Sequence, residues 1–385
     1  MSVVFERASP WVTVRRVFGG FDLPLLLALL ALAAIGLVAM FSAGFDHGTR
    51  FVDHARNMLL ALAVLFVAAQ VPPQKLMRLA VPLYMAGIAL LVATAVFGIT
   101  RKGATRWLAL GPLVIQPSEV MKIAMPLMLA WWFQKREGQL RMLDFLIAGI
   151  LLLVPVALVA KQPDLGTALL ILAAGTYVIF FAGLSWKLVV PVLVLAGVAI
   201  AAVVLTADTI CEPDVQWPIL REYQRHRICT LLDPTRDPLG KGFHIIQGMI
   251  AIGSGGLAGK GFMQGTQTHL EFIPERTTDF IFAAFSEEFG LAGVLTLLVA
   301  FTCLIFRGLM IAAEAPTVFT RLLAGAVTLS FFTYAFVNMG MVSGILPVVG
   351  VPLPFISYGG TAMVSLGLGL GILMSVARSR RLMQS

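Results

Sequence analysis

The stretch that decides the fold is FDLPLLLALLALAAIGLVAMF, which runs from Phe21 to Phe41. Its only charged side chain, Asp22, lies at its start. A helix of about 20 mostly apolar residues is long enough to cross the hydrocarbon core of a bilayer. The run is also longer than the apolar core of a secretory signal peptide, which has about 7–15 residues. We therefore predict that this stretch is an uncleaved first membrane span.

The composition of the whole chain supports a membrane protein. Of the 385 residues, 59% are hydrophobic and only 12% are charged. Soluble domains carry about 25% charged residues. These values exclude a soluble enzyme, a disordered chain and a small secreted module held by disulfides. The apolar stretches are continuous rather than alternating, which disfavours an outer-membrane barrel.

Apolar segments of membrane-spanning length recur along the chain. We predict an all-α polytopic membrane protein with about ten transmembrane helices in one integral membrane domain, residues 1–385. The segments are 22–42, 56–71, 78–98, 118–134, 143–160, 165–182, 187–206, 279–306, 321–344 and 357–377.

Basic residues predict the orientation of these segments. Lys and Arg are concentrated in both termini and in the loops on the same side, for example at Arg15, Lys135 and Arg321. The positive-inside rule places that side in the cytoplasm. The net charge of +8 is explained in this way, and no basic run with interleaved aromatics predicts nucleic-acid binding. The longest polar segment, about 207–278, then forms an extracytoplasmic loop between helices 7 and 8.

Two features of this loop have structural consequences. Phe243, Ile246 and Ile250 recur at helical spacing, which predicts either a helix in the membrane interface or a short core helix of the loop. Cys211 and Cys229 lie on the exported, oxidising side of the membrane. We expect a disulfide between them, and the alternative is a pair of free thiols.

A glycine-rich stretch, GSGGLAGK at Gly253–Lys260, resembles nucleotide-binding motifs only as a string. Ser254 stands where a P-loop requires its first glycine, and Gly261 stands where it requires Ser or Thr. No strand precedes the stretch, as a dinucleotide-binding fold would require. We expect the glycines to permit tight turns or close backbone approach. Lys260 is either a phosphate contact or a solvated loop lysine.

Charged residues at or inside the membrane boundary are costly, so each is a functional hypothesis. Glu119 and Lys122 are three residues apart and share a helix face. They form either a neutralising pair that joins helices or the polar wall of a substrate cavity. Asp164, between two apolar segments, is a candidate helix cap.

Further charges converge where the long loop meets the eighth segment. Asp279 lies near the start of that helix, where it could act as a cap or as a general base, with Arg276 nearby to neutralise phosphate. Glu287 and Glu288 lie within the segment, and one of them must face inward. Pairing with Lys122 would be an economical solution.

The connection between the last two segments, Pro347–Gly360, is apolar but broken by three prolines and several glycines. Irregular backbone at membrane depth survives only where protein buries it or water reaches it. We therefore predict that this connection forms the rim of a cavity.

Several of these motifs, in this order, resemble the shape, elongation, division and sporulation (SEDS) family. The resemblance covers the chain from the first apolar segment to the last. Within the family, Gly344–Pro354 is more similar to the rod-shape branch than to the division branch. The motifs that carry the resemblance are Gln116–Lys122, Gln162–Gly166, Asp237–Gly240, Ala251–Gly256, Pro274–Phe280 and Pro347–Gly360.

The resemblance implies a peptidoglycan glycosyltransferase that polymerises lipid II for cell-wall elongation and releases undecaprenyl pyrophosphate. The alternatives are a lipid II flippase and a polymerase specific to division. It also implies a multi-pass protein of the bacterial cytoplasmic (inner) membrane, with its active site facing the periplasm. A class B penicillin-binding protein transpeptidase and the elongation machinery are the implied partners.

The same resemblance assigns roles to individual residues. The essential aspartate of the family corresponds to Asp279, the expected catalytic residue, and the family's glutamate and lysine correspond to Glu119 and Lys122. The other expected substrate-binding residues follow from their charge and position rather than from the resemblance, and they are Arg106, Asp164, Lys260 and Arg276. A divalent cation, Mg or Mn, could assist the departure of the pyrophosphate, with ligands that the sequence leaves unknown.

Overall fold

The computed structural model describes residues 21–46, 48–101, 104–111, 113–212, 215, 222–237, 240–273 and 275–384. In chain order, the α-helices within these residues are α1 (Leu23–Ala43), α2 (Arg50–Gln70), α3 (Pro73–Phe97), α4 (Pro117–Gln134), α5 (Met142–Lys161), α6 (Leu165–Phe181), α7 (Trp186–Leu205), α8 (Ala207–Ile210), α9 (Glu222–Leu232), α10 (Lys241–Ser254), α11 (Thr266–His269), α12 (Ile281–Ala313), α13 (Val318–Val342) and α14 (Gly360–Gln384). A short 3-10 helix, Pro234–Arg236, lies between α9 and α10.

The polytopic helical fold predicted from the sequence is confirmed. Each of the ten predicted segments corresponds to one helix, namely α1–α7 and α12–α14. Among the described residues, eight of these helices are long and apolar enough to cross a membrane. The other two are α4, with 18 residues including Glu119 and Lys122, and α6, with 17.

The second helix begins earlier than the sequence predicted, at Arg50 rather than near residue 56. Its first two turns are polar, and Asp53 forms an ion pair with Arg56 at 3.0 Å across one turn. These turns are not part of the continuous apolar run, so the apolar pattern does not predict them. Arg50 and Arg56 therefore belong to a helix and not to a loop.

A small antiparallel sheet, which the sequence analysis did not predict, connects α3 to α4. Its strands are β1 (Ile99–Arg101), β2 (Ala104–Leu110) and β3 (Leu113–Ile115), in the order β1-β2-β3. Leu108 pairs with Ile115 and Leu110 pairs with Leu113, around a turn at Gly111, which has a φ of 63°. Because of this sheet, Arg106 lies on a strand rather than in a loop.

Helix packing in the bundle relies on small residues at one contact in particular. Gly367 and Gly371 of α14 face α2, where a Cβ atom at Gly367 would come within 2.4 Å of the carbonyl oxygen of Ala61. A Cβ atom at Gly371 would come within 2.6 Å of the carbonyl oxygen of Leu65. Two glycines four residues apart thus let the two backbones approach closely.

Helix α12 is broken at Gly290, which has a φ of 61° and a ψ of −160°. The break leaves carbonyl and N–H groups without their helical partners. The glycine-rich stretch supplies partners: Lys260 N donates to the carbonyl of Glu287 at 3.0 Å, and Leu291 N donates to the carbonyl of Gly256 at 2.9 Å. The glycine-rich stretch is therefore structural, because it supplies main-chain hydrogen bonds on both sides of the break in α12.

The long loop between α7 and α12 contains the predicted helix, α10. Ile245 and Ala251 are buried, whereas Met249 and Ile250 are about 40% exposed. One face thus packs on the protein and apolar residues of another face are exposed, which is compatible with both alternatives, a helix in the membrane interface and a core helix of the loop. Cys211, which directly follows α8, and Cys229 of α9 form a disulfide with a Cα–Cα distance of 5.6 Å.

Candidate active site

Asp279 lies in the turn that precedes α12, close to the Pro347–Gly360 connection. Phe280, and not Asp279, occupies the cap position of the helix. A Cβ atom at Gly350, where φ is +76°, would lie 3.4 Å from Asp279 Oδ2. The carboxylate therefore faces main chain that has no side chain at this point.

Hydrogen bonds fasten the residues before Asp279 to the same connection. Tyr358 N donates to the carbonyl of Thr277 at 2.8 Å. Ser357 Oγ donates to the carbonyl of Thr278 at 2.7 Å. Two motifs that lie about 80 residues apart in the sequence therefore form one structural unit around Asp279.

Four consecutive residues of the connection, which we call the Val348–Val351 segment, each contact a different element. Arg227 of α9 donates to the carbonyl of Val348 at 2.9 Å. A Cβ atom at Gly166 of α6 would come within 2.7 Å of the carbonyl oxygen of Val349. Gly350 faces Asp279, and Asn338 of α13 donates to the carbonyl of Val351 at 2.8 Å. These contacts join the long loop between α7 and α12 and two helices at one place beside Asp279.

Asp164 lies at the start of α6, next to this segment. It caps the helix as predicted, because its Oδ1 accepts from Thr167 N at 3.3 Å. It also faces Arg106, whose Nη1 lies 3.7 Å from Asp164 Oδ1, and it accepts from Gln116 Nε2 at 3.1 Å. The structure thus brings together two of the expected substrate-binding residues, one from a strand and one from a helix cap.

Glu119 and Lys122 form an ion pair inside the bundle, with Nζ and Oε1 2.7 Å apart. Lys122 also donates to the hydroxyl of Tyr334, and Ser365 Oγ donates to Glu119 Oε2 at 2.7 Å. Lys122, Tyr334 and Ser365 line a small cavity together with Ser330 and apolar side chains of α4, α6, α13 and α14. The predicted pair therefore exists, and its lysine lines a small, mainly apolar cavity.

The expected pairing of Lys122 with Glu287 or Glu288 is wrong. Glu287 is fully buried, and its Oε1 lies 2.6 Å from Lys260 Nζ. Lys260 reaches it because the glycine-rich stretch bonds to the main chain at the break in α12. Glu288 accepts from Ser42 of α1. Lys122 instead forms its ion pair with Glu119 and donates a hydrogen bond to Tyr334.

Arg276 and Lys260 both hold ion pairs within the protein. Arg276 is 3% exposed, forms an ion pair with Asp46 and donates to the carbonyl of Ala43 at 3.0 Å. Lys260 donates to Glu287 as described above. Both cations thus contact protein groups in this structure, and their binding of phosphate stays a prediction.

Sequence reasoning missed four residues of the site. Arg50 donates to the Thr277 hydroxyl and lies over the ring of Tyr358, with 5.7 Å between Cζ and the ring centroid. Arg227, Tyr334 and Asn338 are the other three, and their contacts are given above. Tyr334 and Asn338 are four residues apart and so share one face of α13. Polar groups on one face of an apolar helix are the signal that could have identified them.

Comparisons with known proteins place the chain in a family. The sequence profile of the FtsW, RodA and SpoVE proteins, described as cell cycle protein, matches residues 23–382. The chain belongs to this family. It is 48% identical over 362 residues to the peptidoglycan glycosyltransferase MrdB of Escherichia coli K12, covering 94% of this chain and 95% of the relative. It is 33% identical over 369 residues to a probable peptidoglycan glycosyltransferase FtsW of Geobacter metallireducens, covering 93% and 94%.

Solved structures agree with these relatives. The rod shape determining protein RodA of Thermus thermophilus has a TM-score of 0.67 and 28% identity, covering 94% of this chain and 97% of that one. A chain from a study of the structural coordination of polymerization and crosslinking by a peptidoglycan synthase complex has a TM-score of 0.75 and 34% identity, covering 94% and 98%. The SEDS family, the multi-pass inner-membrane fold and the assignment as a peptidoglycan glycosyltransferase are thereby confirmed.

Proposed function

We propose that this enzyme polymerises lipid II into glycan strands for cell-wall elongation, with Asp279 as the general base. The observation that carries the proposal is the position of the Asp279 carboxylate, which faces Gly350 at the junction of the Pro274–Phe280 and Pro347–Gly360 motifs. Asp279 is partly exposed at this junction, as a base that meets a substrate must be. A sugar hydroxyl is a poor nucleophile, and a positioned base accelerates such a reaction by roughly 10²–10⁴-fold.

The proposed reaction transfers a glycosyl group from the lipid-linked donor to the acceptor sugar. The hydroxyl oxygen of the acceptor sugar attacks the anomeric carbon of the lipid-linked donor, and the hydroxyl proton passes to the Asp279 carboxylate. The bond between that carbon and the phosphate oxygen breaks, and undecaprenyl pyrophosphate leaves with the electron pair.

Cations suited to the leaving group lie around the same junction. Arg227 contacts Val348, and Arg50 contacts Thr277 and Tyr358. Arg106 faces Asp164 at the start of α6, two residues before Gly166, which lies against Val349. Fixed positive charge stabilises the negative charge that develops on the departing pyrophosphate.

A divalent cation remains part of the proposal. The described residues contain no group of three or more His, Cys, Asp or Glu side chains that could hold a metal ion alone. Mg²⁺ is commonly bound by one or two carboxylates together with substrate phosphates. Asp279 is the residue that would hold such an ion, which would supply charge neutralisation to the pyrophosphate.

Reconstitution on lipid II tests the proposed activity. Asp279→Asn should abolish glycan polymer while the variant melts at the wild-type temperature. Asp208→Asn is the matched control, because Asp208 is a fully exposed aspartate of the same outer loop. Normal polymerisation by Asp279→Asn would refute the assignment of the base. Transfer of labelled lipid II across vesicles without polymer would support the flippase alternative.

Orientation and partners complete the proposal. Both termini face the cytoplasm and Asp279 faces the periplasm, as the distribution of basic residues favours. Leu257→Cys, at an exposed site of the outer loop, should react with an impermeant maleimide in intact cells, whereas Gln139→Cys should react only after lysis. A class B penicillin-binding protein is the proposed partner, and it would crosslink the new strands. Its addition should raise the polymer yield. Equal yields with and without it would argue against this partner.

A further inference from the structure

Asn338 connects the main chain at Asp279 to the Val348–Val351 segment. Its Nδ2 donates to the carbonyl of Asp279 at 3.0 Å and to the carbonyl of Val351 at 2.8 Å. We propose that Asn338 is a positioning residue, which fixes the distance between Asp279 and the segment that its carboxylate faces. This inference rests on the proposed role of Asp279 as the base.

The geometry suits this role because one amide group spans two elements. Both hydrogens of the amide are used, one on each carbonyl. The side chain is rooted in α13, a helix in the interior of the bundle, and is completely buried. A planar amide on a rigid helix allows less movement between the two carbonyls than their own flexible turns would.

The Asn338 amide is paired through its nitrogen and unpaired at its oxygen. Asn338 Oδ1 is buried and makes no hydrogen bond with any described residue. A buried acceptor without a partner lowers stability, whereas an apolar side chain of similar size would remove the donor from the carbonyls of Asp279 and Val351. The two donors are the property that an apolar side chain cannot supply.

The consequence for catalysis is specific. Since Asn338 is completely buried, it does not touch the substrate, and its loss should not weaken substrate binding. A displacement of a catalytic group by about 1 Å costs roughly 10²-fold in rate. A positioning role therefore predicts a lower kcat with an unchanged KM for lipid II.

The first test replaces the amide by an apolar side chain of similar size. Asn338→Leu, in the full-length protein assayed on lipid II, should lower kcat by about 10- to 100-fold with KM within twofold of wild type. Thr328→Val is the matched control, because Thr328 is a completely buried polar residue of the same helix whose hydroxyl also makes no hydrogen bond with the described residues. It should leave kcat unchanged.

A second variant separates the effect of the two hydrogen bonds that Asn338 donates from the effect of its packing. Asn338→Asp keeps the shape, donates one hydrogen bond when protonated and repels both carbonyls when ionised. The ratio of its kcat to that of the wild type, measured from pH 8 to pH 5.5, should therefore rise at least fivefold as the pH falls. The folded fraction is followed by circular dichroism at each pH, and where it is constant a merely structural role would give a flat ratio.

The outcomes distinguish this inference from the proposed function. If Asp279→Asn is inactive while Asn338→Leu has normal kcat, Asp279 stays the base and the positioning role is refuted. A rise in KM without loss of kcat, or a flat ratio for Asn338→Asp, refutes it as well. Failure of both Asn338 variants to fold, beside a folded Thr328→Val, would show that the residue is structural. Activity of Asp279→Asn would remove the basis of both proposals.

Discussion

Gly259 lies directly against Glu288: a Cβ atom at Gly259 would come within 2.1 Å of the carbonyl oxygen of Glu288. This contact exists because α12 breaks at Gly290, two residues later. The glycine-rich stretch comes close enough to bond the main chain on both sides of the break. The glycines of a motif that mimics a nucleotide-binding loop thus complete a helix instead.

Substitution of Gly259 by Ala should therefore destabilise the protein. Its φ of +82° is strained for alanine, and the new Cβ would collide with main chain. We expect a loss of at least about 2 kcal/mol in the free energy of unfolding, measured by chemical denaturation in detergent. Gly253→Ala is the control, because a Cβ atom there meets nothing within 4 Å and the residue lies in a helix. It should change stability by less than about 1 kcal/mol. Equal stability of the two variants would contradict the close packing of the glycine-rich stretch against the break in α12.

Lys260 should prove to be a structural residue. It pairs with Glu287, which is completely buried and also accepts from Gln267 N at 3.0 Å. Lys260→Met leaves that carboxylate without its cation and should cost about 3 kcal/mol of stability. The Lys260→Met/Glu287→Gln double variant should recover part of this loss. The KM for lipid II should stay unchanged, whereas a rise of tenfold or more in a folded Lys260→Met protein would restore the phosphate-binding hypothesis.

The pair of Glu119 and Lys122 should show strong coupling. Either single change to an apolar residue strands a charge inside the bundle and should cost about 3–5 kcal/mol. The Glu119→Leu/Lys122→Met double variant should be more stable than either single variant. Because Lys122 lines a cavity with Tyr334, we expect the folded double variant to lose polymerisation. Full activity of the double variant would mean that the pair only joins helices. Melting temperature and polymer yield, measured on the same preparations, decide between these outcomes.

The sequence was sufficient to predict the helices because apolar runs of membrane length rarely form any other structure. It failed at α2, whose polar first turns carry Arg50, and at the sheet around Arg106. In both places the local pattern is short and mixed, and the packing of neighbouring elements determines the structure. Propensity over a few residues cannot compete with such contacts.

The site was predictable only in part, for a related reason. Motif resemblance pointed to Asp279, Glu119 and Lys122, because distinctive residues surround them. Asn338 and Arg227 lie in ordinary surroundings, 59 residues from Asp279 and 121 residues from Val348 respectively. Their importance follows from the fold, which brings them to the Val348–Val351 segment, and no local spacing encodes that convergence.

The disulfide should act on the site through Arg227. Cys229 lies two residues from Arg227 in α9, and its bond to Cys211 ties that helix to the end of α8, with a sequence separation of 18. A loop of about this length gives roughly 3 kcal/mol of local stabilisation. We expect the Cys211→Ser/Cys229→Ser variant to show faster hydrogen exchange in Glu222–Leu232 and a kcat lowered severalfold, because the contact between Arg227 and Val348 loosens. Cys303→Ser, at an exposed free cysteine, is the control and should match the wild type. Reduction of the wild-type protein should reproduce the double variant. Unchanged exchange in the helix after reduction would show that the disulfide does not hold Arg227 in place.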